Sequence, residues 1–268
     1  MKVDLRGVEG TLLAPLWGRA KFSRDYPSVF NDAKAIELVE QIDYDFSAID
    51  EGLRFEGTLM IVARAKQFDD KARAYIAEHP AASVINLGAG LDTTFYRIDN
   101  GSIEWYDLDL PNVIGVRRQL LPEPDRTTCL AKSLFDESWC RDVEHTENGV
   151  FLICGGVLDW FEDSQVRQFL SVLAGNFPGA EVVLNAQSRL GRFVANLGLR
   201  RTGAKKMVTR WALKDARTMT KWEERIEVLD QFSAVKDIPR DPAWDKQIET
   251  LMNFIDRSRM WSIVHLRV

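Results

Sequence analysis

The run Asn86-Leu-Gly-Ala-Gly-Leu-Asp-Thr93 carries two glycines, Gly88 and Gly90, directly after the β-rich stretch Ser83-Val-Ile-Asn-Leu87. Glycine lets a backbone turn sharply, and it lets a ligand approach the main chain with no Cβ in the way. The next β-rich stretch leads into Asp107-Leu-Asp109. A carboxylate at the end of a second strand is placed to accept hydrogen bonds from both hydroxyls of a ribose. Gly88, Ala89 and Gly90 with this acid predict a nucleotide-like ligand over the turn. A tight turn without a ligand explains the glycines but leaves the acid unexplained. A dinucleotide fingerprint wants a third glycine three residues after the second, for close helix packing and the pyrophosphate. That position is Thr93. S-adenosylmethionine has no pyrophosphate and does not need that glycine.

These residues must be positioned by a sheet. Five β-rich runs (83–87, 103–108, 126–131, 150–154 and 181–186) alternate with helical segments, notably 111–121 and 163–176. Such alternation predicts an α/β fold, a parallel sheet with helices on both faces. The all-apolar run Val150-Phe-Leu-Ile-Cys154 fits a central strand buried on both sides. Residues 1–79 read as a helical cap. In it Asn31-Asp32 can cap one helix, and a longer helix spans about 53–78 until His79-Pro80 stops it. A basic, helical stretch follows the fifth run to about residue 221. Arg225-Ile-Glu-Val-Leu229 alternates like a strand, 244–257 fits a helix, and Trp261–Val268 reads as a last strand. No linker divides the chain, so one domain is expected over 1–268, with a core from 80 and a basic lid at about 188–222.

The 268 residues are enough to bury a core without disulfides or metal staples. Three cysteines, with no CxxC spacing, and three histidines, with no HExxH, point to no metal site and a reducing, cytoplasmic compartment. The charged N-terminus and the shortness of every apolar run argue against a signal peptide or a membrane span. Thirty-five basic against 40 acidic residues give a net charge of −5, which argues against a nucleic-acid partner.

The runs Asn86–Arg97 and Trp105-Tyr-Asp-Leu-Asp-Leu-Pro111 resemble the leucine carboxyl methyltransferase family, in the branch of tetracenomycin polyketide O-methyltransferases. Thr11–Ala20, Phe30–Ala35, Ile42–Phe46 and Arg64–Asp69 support the likeness, which is densest over 11–160. The resemblance implies a class I S-adenosylmethionine-dependent methyltransferase, Rossmann-like, with a helical cap, that methylates an oxygen, often a carboxylate. It implies that Gly88 lies beside the amino-acid part of the cofactor and Asp109 holds the ribose. Arg64 would sit near the cofactor carboxylate, and Ser133 and Leu134 near the adenine. Arg19 or Lys21 matches a basic cap residue. One departure stands out. Where the family reads Ala-Glu-Gly-Val-Leu-x-Tyr, this chain reads Cys154-Gly-Gly-Val-Leu-Asp-Trp160, so Gly155 replaces a cofactor-holding acid.

A carboxylate acceptor is already ionised at pH 7 and needs no general base. Orientation alone then carries much of the catalysis. Asp159 or a histidine could serve a hydroxyl acceptor instead. Arg200 and Arg201, in a locally basic stretch of an acidic chain, are candidates to clamp an anionic small-molecule acceptor. Trp17 is a candidate to line its pocket, and Arg97 either contacts substrate or pairs with Asp99. His265 and Cys154 read as structural. A non-catalytic cofactor-binding protein, motivated by Gly155, and an NAD-dependent oxidoreductase, disfavoured by Thr93, are the alternatives.

Overall fold

The computed structural model describes residues 9–201 and 208–268. Strands β1 (Ser83–Leu87), β2 (Glu104–Asp109), β3 (Thr127–Ala131), β4 (Val150–Cys154), β5 (Glu181–Gln187), β6 (Glu227–Ser233) and β7 (Trp261–Arg267) form one sheet in the order β3-β2-β1-β4-β5-β7-β6. The strands β1 to β5 run parallel, and β7 lies antiparallel between β5 and β6. The chain steps outward from β1 to β3, then returns to the other side of β1 at β4. That reversal leaves a crevice at the carboxyl ends of β1 and β4, where open α/β sheets bind ligands.

Alternation within the central strands feeds two cores. Ile85, Leu87, Leu152 and Cys154 face a layer that includes Val166, Phe169 and Leu170 of α6 (Asp163–Asn176). Val84, Phe151 and Ile153 face Phe68, Ala72 and Ile76 of α3 (Ser47–Glu78). Both faces of β4 are buried, as its unbroken apolar text requires. The C-terminal half of α3 is therefore a layer of the α/β core. Its helix is broken at Arg54, which sits at φ 52°, and the regular run resumes close to the expected start. On α3's other side Leu59 and Val62 pack with Met252 and Ile255 of α8 (Lys246–Ser258).

Over the crevice lie α1 (Glu9–Asp25) and α2 (Ala33–Gln41), whose apolar residues pack with Leu91, Val113 and Val116. A buried ionic network fastens them down. Asp32 is fully buried and caps α2 by accepting from Ala35 N at 2.9 Å. Its other oxygen accepts from Arg19 Nε at 3.0 Å, Thr93 Oγ1 at 2.6 Å and Arg97 Nη1 at 2.6 Å. Arg97, on α4 (Thr94–Ile98), also grips Asp69 of α3 through two nitrogens, at 2.7 and 2.9 Å. Of the two alternatives for Arg97, the pairing with Asp99 does not form; Asp99 pairs with Arg126. Burial disfavours the Arg97 charge, but Asp69, Asp32 and Asp92 overcome it and raise its pKa.

The basic segment departs from expectation. Helix α7 spans Arg189–Arg201, and no helix continues to 221 among the described residues; Ala216–Lys221 is a 3-10 turn. Trp211, Leu213, Ala216 and Met219 are buried in the α6-side core, which bends this segment onto the body of the protein. Its backbone follows: Arg210 N and Trp211 N donate to Asp159 O, and Leu213 N donates to Gln187 O. The strand expected at 225 begins at Glu227, because Ile226 N closes a turn onto Glu223 O.

Removing one member of a buried ion pair leaves an uncompensated charge and costs about 3–5 kcal/mol. Asp32→Ala removes a buried carboxylate partner from Arg19 and from Arg97 at once. Urea unfolding should show a loss of at least that order; a loss below about 1 kcal/mol, the surface-pair value, contradicts the network's role.

Candidate active site

The turn after β1 is built as its sequence demands. Gly88 and Gly90 both adopt positive φ, +66° and +47°. Gly88 N and Ala89 N donate to Leu108 O, which ties the turn to the end of β2. A Cβ at Gly88 would overlap Val157 Cγ2, so this glycine also admits the β4 connection. Gly90 lies under Leu12 of α1, at 3.1 Å from where its Cβ would stand.

The two acids of β2 have separate tasks. Asp107 is buried and accepts from Arg117 Nη2 at 2.6 Å and Asn86 Nδ2 at 3.0 Å. Arg117 also donates to Gly90 O at 3.1 Å and Asp92 O at 2.8 Å, bracing the turn from behind. Asp109 is half-buried at the rim. Its Oδ2 accepts from Gly90 N at 2.8 Å and its Oδ1 from Leu110 N at 2.7 Å. A carboxylate has about four lone-pair directions, so each oxygen keeps one acceptor site. Burial raises the Asp109 pKa, against the lowering effect of those two N–H groups.

Across the crevice, Arg64 of α3 is half-buried and makes no hydrogen bond or ion pair among the described residues. Its guanidinium lies over the β4 connection: a Cβ at Gly156 would stand 2.7 Å from Nη1. Burial lowers its pKa, Asp159 and Asp92 oppose that shift, and Arg19 adds to it. Phe68 closes over Gly155, 3.0 Å from the place of a Cβ. Asp159 accepts from Asn185 Nδ2 at 2.9 Å, while its other oxygen, Oδ1, is buried without a partner. Asn185 Oδ1 accepts from Gly156 N at 2.6 Å, so one side chain clamps both parts of the connection. Burial works against the charge of Asp92, yet Arg19, Arg97 and the Thr94 N–H hold its carboxyl down to about 2.

The other sequence candidates are distributed. Ser133 and Leu134 follow β3, where Ser133 Oγ accepts from Phe135 N and Leu134 O accepts from Trp139 Nε1. Arg19 is 4% exposed, committed to Asp32 and to Leu91 O, with Nη1 4.0 Å from Asp92. Trp17 stacks on Phe46 and donates to Asp50; Lys21 pairs with Asp25 and Asp50. Arg200 is exposed on α7, and the side chain of Arg201 lies outside the described residues. Sequence reading marked Asp32 as a helix cap, which it is, but not as the centre of an ionic network, and it missed Asp69, Asp92 and Asn185. Of those three only Asn185 left a signal, as the polar break inside an apolar strand. Thr93 is buried against Asp32, so the place of a third glycine is used to anchor the cap.

Residues 14–135 match the leucine carboxyl methyltransferase family. The tetracenomycin polyketide synthesis O-methyltransferase TcmP of Streptomyces glaucescens is 32% identical over 69% of this chain and 67% of its own length. The chain belongs to the leucine carboxyl methyltransferase family. A second relative, the S-adenosyl-L-methionine-dependent methyltransferase dpfgK of Gibberella zeae, is 26% identical over 87% of the chain and 86% of its own. The structure of magnesium protoporphyrin IX methyltransferase (ChlM) from Synechocystis, with bound S-adenosylhomocysteine, shares the fold. Its TM-score is 0.50 at 14% identity, covering 92% of this chain and 98% of that one. The protein is thus an S-adenosylmethionine-dependent methyltransferase with the class I, Rossmann-like fold. Its residues fit that cofactor: a positive-φ glycine turn, two open acceptor sites on Asp109, and an unpaired guanidinium at Arg64.

Asp109→Ala should raise the Kd for S-adenosylhomocysteine at least about tenfold by calorimetry, the scale of lost hydrogen bonds to a charged group. In the intact protein that affinity should fall on acidification, starting above the ordinary carboxylate range, because burial raises the Asp109 pKa. Affinity that is flat down to pH 4 contradicts the ribose role.

Proposed function

We propose that the protein transfers the cofactor methyl group to an oxygen of a small-molecule acceptor, a carboxylate, by in-line displacement. The bound cofactor supplies a methyl group activated on a sulfonium. The chain's part is to hold and orient. Asp109 grips the ribose, Arg64 the cofactor carboxylate, Gly88 to Gly90 line the main-chain side, and Ser133 and Leu134 flank the adenine.

The carrying observation concerns the histidines, the usual neutral-pH bases. His79 precedes the start of β1, and His145 precedes the start of β4. His265 pairs across the sheet with Val183 and contacts Glu181, at the start of β5, at 2.8 Å. His79 and His145 lie at the amino ends of the parallel strands, and His265 lies three strands across the sheet from β1 with its ring turned to Glu181. A carboxylate nucleophile needs no base, and orientation can contribute roughly 7–11 kcal/mol in well-aligned cases.

The acceptor side is assigned to α7. It exposes Leu190, Phe193, Val194 and Leu197, one apolar stripe, beside Arg200. That combination suits an acceptor with an apolar body and an anionic group. The name of the tetracenomycin relative supports a secondary-metabolite acceptor of this kind.

Methyl transfer from radiolabelled cofactor to a panel of aromatic and aliphatic carboxylic acids tests the reading. Turnover should be independent of pH between about 6 and 8, because the acceptor stays ionised throughout. A rate rising with pH, or label found only on phenols and alcohols, contradicts it. Arg200→Ala combined with Arg201→Ala should raise the acceptor KM several-fold with kcat little changed; an unaltered KM removes the clamp.

A further inference from the structure

The connection from β4 to α6 passes through Gly155 and Gly156 into the 3-10 turn Leu158–Trp160. It carries two acids. Glu162 is exposed, pairs with Arg210 and caps α6. Asp159 turns inward instead. Its Oδ2 is fixed by Asn185, and Oδ1 is buried with no hydrogen-bond partner. A buried carboxylate oxygen left bare is costly unless a ligand satisfies it.

The surroundings specify that ligand. Arg64 and Asp159 attract one another electrostatically without a direct hydrogen bond. A bare acceptor on Asp159 and, among the described residues, an unpaired guanidinium on Arg64 over the neighbouring Gly156 complement a zwitterion. The guanidinium suits a carboxylate, and the Asp159 oxygen suits an ammonium. Gly155 contributes no side chain, and Phe68 packs over it, so no acid at that position competes for the ammonium. The side chain of Asn185 holds Asp159 and the Gly156 N–H together, which fixes the carboxylate against the Arg64 side of the turn.

We infer that Asp159, held by Asn185, binds the α-ammonium of the cofactor's amino-acid moiety, beside the α-carboxylate already given to Arg64 under the proposed function. This rests on the cofactor reading of the crevice and adds a binding role for a residue otherwise open to service as an acceptor-side base. Burial raises the Asp159 pKa, with Arg64 opposing, and an incoming ammonium would lower it again.

Calorimetry with three probes decides. S-adenosylhomocysteine carries both charges, its decarboxylated analogue keeps only the ammonium, and 5′-methylthioadenosine has neither. Asp159→Asn, which preserves shape and can still accept from Asn185, should weaken the first two about tenfold or more and leave the third within twofold. Arg64→Gln should weaken only the first. Unchanged binding of S-adenosylhomocysteine by Asp159→Asn, with only turnover lost, overturns the proposal and moves Asp159 to the acceptor. Equal weakening of all three probes also overturns it, as a fold defect. If the unmutated protein binds none of the three, the cofactor reading itself fails, which is a separate result.

Discussion

The hydrogen bond from the Gly90 N–H to the Asp109 carboxylate, at 2.8 Å, joins the two halves of the proposed cofactor site through a side chain. It links the turn after β1 to the end of β2, and it sets which way the carboxylate faces. The bond forms in the positive-φ glycine turn, while Asp107 is engaged elsewhere. Arg117 holds Asp107 and the carbonyls of Gly90 and Asp92. The acid that remains keeps an open acceptor direction on each oxygen. Preorganisation of this kind removes reorientation from the cost of binding.

The second constraint is the cap. Asp32 gathers a helix N-terminus, two arginines and a threonine onto one carboxylate. The four partners come from three elements, so α1, α2 and α4 are fixed by the same charge, and Arg97 carries the link on to α3 through Asp69. Buried ionic groups are poor sources of net stability, but they penalise wrong arrangements strongly. Here the arrangement they enforce places Leu12 over Gly90 and Arg64 over Gly156. The cap's geometry and the cofactor crevice are therefore one problem, and Thr93 shows it most plainly. A residue that excludes a dinucleotide pattern in the sequence is the one that hooks the turn to the cap.

The sheet was legible because its signals are local. β1 and β4 have the bounds expected from their apolar runs, and the glycine turn and Asp109 announce themselves within a few residues of strand ends. The α6 helix is bounded by its own capping box. What escaped reading depends on partners distant in the chain. Arg97 meets Asp69 and Asp32, 28 and 65 residues away, and the nearer Asp99 looked the simpler partner. Asn185 matters only because the β4 connection folds back on it. The region after α7 was misread for a related reason. Trp211, Leu213 and Met219 fit a helical pattern in sequence, but burial against α6 draws them in as irregular chain and a 3-10 turn.

In the proposed site the Gly90 N–H holds the Asp109 carboxylate where it would face a ribose. A crystal structure of the complex with S-adenosylhomocysteine measures that directly. Both ribose hydroxyls should lie within about 3 Å of the Asp109 oxygens, the ordinary hydrogen-bond range, with the Gly90 bond intact. A ligand bound in another cavity, or a ribose held by other residues while Asp109 faces protein, would contradict it.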